Sequence, residues 1–458
     1  MPEVVVVGAG IAGLTAAWAL ARAGVEVLVL EQRPRAGGVI VTETVEGFVI
    51  DGGPDALLVQ KPAAVDLCRE LGIADRLVPT MPPRTAFVVR NRRLMALPEA
   101  SYLGLPTRVR PFVTTPLFSW SGKARMALEP LVSAKQTDED ESIGSFMTRR
   151  FGNQAREYLA EPLLAGIHAG DVDRLSVNEL FPRLVQAERS GSVLRALTRL
   201  KASSPSTSAF VSFPTGMGEL TVALESALGP TSIRCNSAVA AIAGRGPFRV
   251  TLASGDAFDA HAIVVATPAW SAASMLARID QELMRLCASI EYASSATAVY
   301  ALRRDQVRNP LNGTGYVVPY RERRALMAAT WVSSKWPHRA PANQVLLRGF
   351  VGGVRDPGIL EQPDEALAAS AFSDLADLLG ISGEPTMTRV YRWPRASAQY
   401  NVGHLATVRA IDSRLEKLPG VFLTGSGYRG TGIPDCVADA RATAARVLDV
   451  LTAKKPRK

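Results

Sequence analysis

At 458 residues, with 47% hydrophobic and 21% charged residues, the chain is too long for one ordinary core and too apolar for broad disorder, so two or three folded domains are expected. The formal net charge is +9, yet the basic residues are spread along the chain, which argues against a nucleic-acid motif and for a solvated basic surface biased toward anionic small molecules or anionic lipid. Cys68, Cys235, Cys287 and Cys436 form no Cys-x-x-Cys pair, and His168, His261, His338 and His404 are equally scattered, so neither disulfides nor a metal cluster is expected.

Val4 to Val7 is a β-branched run suited to a buried parallel strand, and glycines follow at positions 8, 10 and 13. Gly8 permits a tight turn, Gly10 lets backbone approach a phosphate, and Gly13 lets the next helix, expected over Leu14 to Ala23, pack close to the strand. Phosphates then meet the unpaired N–H groups and positive end of that helix. Val25 to Leu30 is a second strand ending on Glu31, whose carboxylate can accept hydrogen bonds from both ribose hydroxyls. With Arg35, Gly37 and Gly38 just beyond, the set points to a flavin adenine dinucleotide site. The uncharged stretch Val4 to Ala21 is long enough to suggest a membrane span or export signal. Glu3 in place of a basic cluster, the three glycines and the β-branched start argue instead for a strand, and for a cytoplasmic enzyme without an export signal.

Val39 to Ile50 alternates as a strand pair around Glu46-Gly47 and delivers the turn Asp51-Gly52-Gly53-Pro54-Asp55, which can lay backbone amides against a flavin. Residues 62 to 78 carry helical spacing, and Phe87 to Val89 with Leu94 to Leu97 forms a hairpin across the basic turn Arg90 to Arg93. From Leu103 to about Leu200 the pattern is helical; Leu105 to Arg125, which mixes Pro, aromatic and basic residues, either packs as part of an inserted domain or touches a membrane surface. Lys201 to Ser208 reads as a mobile Ser/Pro-rich loop. Phe213 to Gly218 opens another helix, and Ala262 to Thr267 is a buried strand stopped by Pro268. Ala296 to Val354 suggests a second, antiparallel, substrate-facing sheet, with another basic turn at Arg321 to Arg324. Gly420 to Gly425 is one more strand, Gly430 to Asp435 starts the last helix, and Lys454 to Lys458 is expected to be a disordered tail. The fold class is therefore α/β and α+β. Residues 1–80, 210–270 and 390–458 are expected to make a discontinuous Rossmann-like FAD-binding domain, 81–102 and 271–389 an antiparallel-sheet substrate-binding domain, and 103–209 an inserted helical domain.

The Gly8 to Gly13 fingerprint, Glu31 with Arg35-x-Gly37-Gly38, the strand ending Ala266-Thr267-Pro268 and the Gly430 to Asp435 turn together resemble the flavin amine oxidase superfamily. Within it, Gly53-Pro54-Asp55, the segment Glu161 to Asp171, Gly216-Met217-Gly218, Trp336-Pro337-His338 and Gln399-Tyr400-x-x-Gly403-His404 are similar to those of porphyrinogen oxidases, and the likeness runs from Met1 to about Val450. Thr107 to Arg125 and Lys61 look like the soluble coproporphyrinogen III type. Protoporphyrinogen-type relatives carry an arginine just before the aromatic strand near Phe87; here Ala86 takes that place and Arg84 lies two residues earlier.

The resemblance implies FAD held without a covalent bond, since Ser426-Gly427-Tyr428 lacks the cysteine by which some relatives attach flavin. Gly8, Ala9, Gly10, Ile11, Ala12, Gly13, Glu31, Gln32, Arg35, Gly37 and Gly38 are expected around the dinucleotide. Asp51, Gly52, Gly53, Pro54, Val239 and Trp393 are expected beside the cofactor, and Gly432-Ile433-Pro434 to aim helix N–H groups at the flavin's pyrimidine oxygen. The implied reaction is the six-electron oxidation of coproporphyrinogen III to coproporphyrin III in haem biosynthesis, each step passing a hydride to flavin N5, with oxygen as acceptor and hydrogen peroxide as by-product. Protoporphyrinogen IX is the alternative substrate; a flavin oxidase of amines or carotenoid precursors and a non-catalytic flavoprotein are the remaining readings. No acid–base pair and no metal are expected.

Four propionates on the substrate make rim cations matter. Lys61 can bind a carboxylate as a point charge and a nearby arginine such as Arg84 bidentately, although Lys61 without the resemblance is a surface lysine at a helix start. Gly170 either gives the macrocycle room or caps a helix. His168, where many relatives carry tyrosine, either orients substrate or packs in its helix; Ile167 and Phe350 either touch the macrocycle or belong to the core. Expected partners are the porphyrinogen, oxygen and, transiently, a haem-pathway ferrochelatase, with no nucleic acid and at most peripheral membrane contact.

Overall fold

Five short strands rich in Val, Ile and Leu form a parallel sheet in the order Ile233–Arg234, Val27–Leu30, Val4–Val7, Ala262–Val265, Val421–Leu423. The computed structural model from which this is read describes residues 2–98, 101–102, 105–106, 108–201 and 208–454. The four-valine run is the central strand, buried on both faces, which is why it reads as a continuous apolar block rather than an alternating one. Val4 and Val6 pack into a core with Leu14, Ala17 and Val437 from the Ile11–Arg22 and Ile433–Lys454 helices. Val5 and Val7 face Ile242, Phe248 and Val250 of an antiparallel meander, Val239–Ala243, Phe248–Leu252 and Ala257–Ala260. The uncharged stretch Val4 to Ala21 thus splits into a strand and most of a helix, and among the described residues no helix is long and apolar enough to cross a membrane.

A seven-stranded sheet stands beside this layer in the order Met387–Ala398, Tyr292–Arg303, Gln344–Gly352, Leu326–Trp331, Gly315–Val317, Ala86–Arg90, Arg93–Ala96. Its neighbours are antiparallel except Gly315–Val317 against Ala86–Arg90, so the sheet is mixed where a wholly antiparallel one was expected. The two parallel strands are far apart in sequence, and no short turn forces them to alternate. The domain boundary expected at 389/390 falls inside the edge strand Met387–Ala398, which pairs along its length with Tyr292–Arg303. One face of the sheet is covered by the helix Asp364–Leu379, with Leu367, Ala371 and Leu375 against Tyr300 and Leu302. On the opposite face Val299, Ala301 and Leu346 pack with Phe48 and Ile50 of the hairpin Thr42–Val45/Phe48–Asp51 and with Trp336. Two expected hairpin turns form with left-handed central residues, Glu46 and Gly47 in one and Asn91 and Arg92 in the other, and the basic turn Arg321 to Arg324 joins Gly315–Val317 to Leu326–Trp331 with Arg323 left-handed.

Residues 108–201 are helical and close around Phe118, Phe146, Phe151, Tyr158 and Leu159. Their fixed point is the fully buried pair Arg150–Glu129, whose carboxylate also accepts the Val193 N–H at 3.0 Å and the Ser192 hydroxyl at 2.6 Å. The loop read at Lys201 to Ser208 lies outside the described residues over 202–207, as do the tail at 455–458, residues 103, 104 and 107, and the side chain of Ile167.

Candidate functional site

Gly8, with φ +100°, turns the chain from the Val4–Val7 strand toward the helix. A Cβ on Gly13 would overlap the Gly8 carbonyl oxygen, so the helix crosses the strand end at a separation that only glycine allows. A Cβ on Gly10 would meet nothing within 4 Å, which leaves open space at the helix N-terminus, where Ile11 and Ala12 are buried. One glycine serves packing and the other serves a ligand. The Ala9 N–H donates to Glu31 Oε2 and the Arg33 N–H to Oε1, both at 2.8 Å, which pins the buried carboxylate beside the turn. Gln32 is exposed just beyond it. Gly37 pairs with Gly10 and donates its N–H to the Ala9 carbonyl at 2.8 Å. Arg35 donates to the carbonyls of Ala36, Gly38 and Ile40 at 2.9, 2.8 and 3.2 Å, bracing the Gly37-Gly38 turn beside Gly10.

The turn Asp51 to Asp55 is held by buried charge. Asp51 accepts from the Thr42 hydroxyl at 2.6 Å and the Met217 N–H at 2.9 Å, and pairs with Arg339 at 2.9 Å. Burial pushes its carboxyl up from the usual range against the pull of Arg339. Both its oxygens are engaged by the protein, so Asp51 anchors the turn rather than reaching out of it. Burial also acts to raise Asp55, but Lys335 at 2.9 Å, Arg348 at 3.3 Å and the Trp336 N–H at 3.0 Å hold it well below the usual carboxylate range. Arg348 further donates to the carbonyls of Asp51 and Gly53. The Tyr391 ring covers Gly52, where a Cβ would lie 2.5 Å from it, and Trp393 donates to the Gly52 carbonyl at 3.0 Å. Phe350 lies 4.8 Å beneath the Arg348 guanidinium on the same strand face, and Pro54 and Val239 are half-buried.

The sequence model of the family described as flavin containing amine oxidoreductase matches residues 11–448. The chain belongs to that family. It is similar over 98% of each chain, at 34% identity, to the coproporphyrinogen III oxidase of Bacillus subtilis (strain 168). It is 27% identical to the mitochondrial protoporphyrinogen oxidase of Nicotiana tabacum over 98% of this chain and 95% of the other. A crystal structure from Exiguobacterium sp. 255-15, described as a candidate protoporphyrinogen oxidase, superposes with a TM-score of 0.87 at 29% identity over 98% of each chain. This flavin-family member is an FAD-dependent oxidoreductase. The residues present fit that cofactor: the space before Gly10, the pinned Glu31 and the buried, unpartnered hydroxyl of Thr267 beside Gly8 all lie at the dinucleotide end.

The segment Glu161 to Asp171, expected near the substrate, is built around the helix Glu161–His168. Glu161 accepts the Tyr320 N–H at 3.0 Å and pairs with Arg355 at 3.0 Å; Arg355 reaches on to Asp171 at 2.6 Å, so one guanidinium ties both ends of the segment. Ala169, at φ +52°, takes the left-handed cap position, so Gly170 is not the cap. A Cβ on Gly170 would come 2.5 Å from Gln399 Oε1 and 2.7 Å from Leu175, so on that side the room left by the missing side chain is filled by protein. With Ala165, Ala169, Met327 and Val354, Gly170 also lines a cavity of about 710 Å³ rimmed by Arg323, Arg324 and Arg355.

His168 is buried, and its carbonyl accepts from Ser397 at 2.8 Å and Gln399 at 3.0 Å. Burial first, then the Lys61 charge, pushes its imidazole down to about 4. Lys61 Nζ pairs with both oxygens of Asp435 at 2.8 Å, two residues beyond Ile433 in the last helix. The structure thus brings Lys61, His168 and the start of the last helix together, sets Trp393 on the Asp51 turn, and places Phe350 beneath the Arg348 that braces that turn. It leaves Arg84 exposed and donating back to the Thr80 carbonyl and hydroxyl at 3.0 Å. Sequence reasoning missed Asp435, Arg339, Arg348 and Lys335 as partners. Asp435 stood in a motif that had been singled out, and an acid in a first helical turn was the available signal.

Proposed function

We propose that this enzyme oxidises coproporphyrinogen III to coproporphyrin III, removing six hydrogens in three two-electron steps, in the cytoplasm. The observation that carries this reading is Lys61: a half-exposed cation beside the start of the last helix and the His168 end of the helical segment, where a carboxylate on a macrocycle can be anchored. FAD, when bound, supplies the two-electron acceptor that oxygen reoxidises with release of hydrogen peroxide. The chain's own residues position the macrocycle: Trp393 and Phe350 give an apolar floor on the braced Asp51 turn, and neutral His168 keeps the wall beneath Lys61 uncharged at pH 7.

Protoporphyrinogen IX is the second reading, favoured by Arg84, whose exposed guanidinium lies just before the Ala86–Arg90 strand. Val109, Val113, Trp120, Leu128 and Leu131 are exposed apolar residues beside exposed Arg108 and Arg110, a face suited to peripheral contact with anionic lipid. A transient contact with a ferrochelatase would pass the porphyrin on. The test is a side-by-side assay of the two porphyrinogens by oxygen uptake and porphyrin fluorescence. A higher kcat/KM for coproporphyrinogen III is expected; equal or reversed values overturn the substrate assignment.

A further inference from the structure

The Lys61–Asp435 pair joins residues 374 positions apart, and its two halves are held unequally. The Lys61 side chain is 52% exposed and Asp435 21%. Asp435 folds back over the glycines that open the last helix: a Cβ at Gly430 would overlap it, and one at Gly432 would lie 3.2 Å from Oδ2. In the first helical turn its carboxylate is stabilised by the helix N-terminus whether or not the lysine is present. Lys61 has no comparable second anchor among the described residues, and an exposed ion pair is held weakly. His168, buried against the pair, is neutral at pH 7 and leaves the ammonium to the carboxylates.

We propose that Asp435 is a positioning residue that competes with a substrate carboxylate for Lys61. It holds the ammonium in the free enzyme, yields it to a propionate on binding and reclaims it as the product leaves. This rests on the porphyrinogen reading above and deepens it, because Asp435 then sets how long a porphyrin with a carboxylate at this rim is retained. A porphyrin with a vinyl group there has no part in the contest.

The test is equilibrium binding of coproporphyrin III and protoporphyrin IX to the FAD-loaded enzyme, followed by porphyrin absorption, in wild type, Asp435→Asn and Asp435→Ser; the serine retains an acceptor for the helix start. Coproporphyrin III should bind about three- to fivefold tighter in both variants, with KM for its porphyrinogen falling in step and protoporphyrin IX affinity within about twofold of wild type. In a Lys61→Met background the gain should vanish. Unchanged or weaker coproporphyrin III binding in both variants overturns the proposal, as does a gain that survives Lys61→Met; a purely structural Asp435 would loosen both porphyrins. Wild-type turnover of coproporphyrinogen III combined with unchanged variant affinities removes this proposal alone. A wild type that oxidises neither porphyrinogen removes the underlying reading with it.

Discussion

The dinucleotide end and the proposed substrate rim are built by different means. Between Val4 and Gly38 the parts are neighbours in sequence and mostly backbone: glycine contacts, the Gly37 N–H on Ala9, and a carboxylate pinned by two amides. At the rim, Lys61, His168, Gln399 and Asp435 come from four distant stretches: the Lys61 and Asp435 side chains pair, and the Gln399 amide donates to the His168 carbonyl. A backbone site holds one position with little freedom, which suits a resident cofactor. A side-chain rim can exchange partners, which suits a substrate that must arrive and leave.

The comparison breaks most visibly at Gly13. Gly13→Ala sets a methyl against the Gly8 carbonyl oxygen, a backbone atom that cannot swing aside, with Ala266 Cβ at 3.2 Å on another side. Purified variant should carry almost no flavin and melt well below wild type; a full flavin-to-protein ratio would mean the crossing is not rigid. Next in size is Asp51→Ala, which leaves the almost fully buried Arg339 without its carboxylate. Losing one partner of such a pair costs about 3–5 kcal/mol, read as a lowered denaturation midpoint. The rim has no pair so buried, so a Lys61 variant should not approach that loss.

A third test uses pH. His168 titrates near 4 in the folded chain against 6.5 as the ordinary value, so below 6.5 the unfolded chain takes up a proton first. Stability from the buried neutral ring is complete above pH 6.5, falls as pH drops and is gone below about 4, a difference of about 3 kcal/mol. His168→Phe should flatten the stability curve between those limits by about that amount, measured by denaturant unfolding at several pH values. An unchanged slope would mean the ring is not buried as a neutral group near Lys61 and Asp435.

The same division decides what could be read from the sequence. The strand, glycine turn, helix and Glu31 were legible because each signal is local: a β-branched run, three spaced glycines, an acid at a strand end. The left-handed turns at Glu46-Gly47 and Asn91-Arg92 were legible for the same reason. Arg339 on Asp51 and Lys335 with Arg348 on Asp55 were not, since nothing near either aspartate says which distant cation will be buried with it. The direction of Gly315–Val317 against Ala86–Arg90 was hidden because the strands lie on either side of the helical segment. At Gly170 the sequence leaves a helix cap and room for a ligand both open; the cap falls on Ala169, and the glycine has Leu175 and Gln399 on one side while also lining the cavity beside Arg355.

The smallest expected effect belongs to Lys61, and its smallness is what the comparison predicts. Lys61→Ala removes an exposed ammonium whose pair with Asp435 is worth no more than about 1 kcal/mol, so folding and flavin content should stay close to wild type. What is lost is attraction felt equally by bound substrate and transition state, so KM for coproporphyrinogen III should rise about two- to fivefold while kcat stays close to wild type. The rise should shrink as salt is raised, because an exposed charge is screened whereas the buried braces under the cofactor are not. If kcat fell as much as kcat/KM, Lys61 would be acting on the reacting ring and not on its carboxylate; an unchanged KM would take it out of the site.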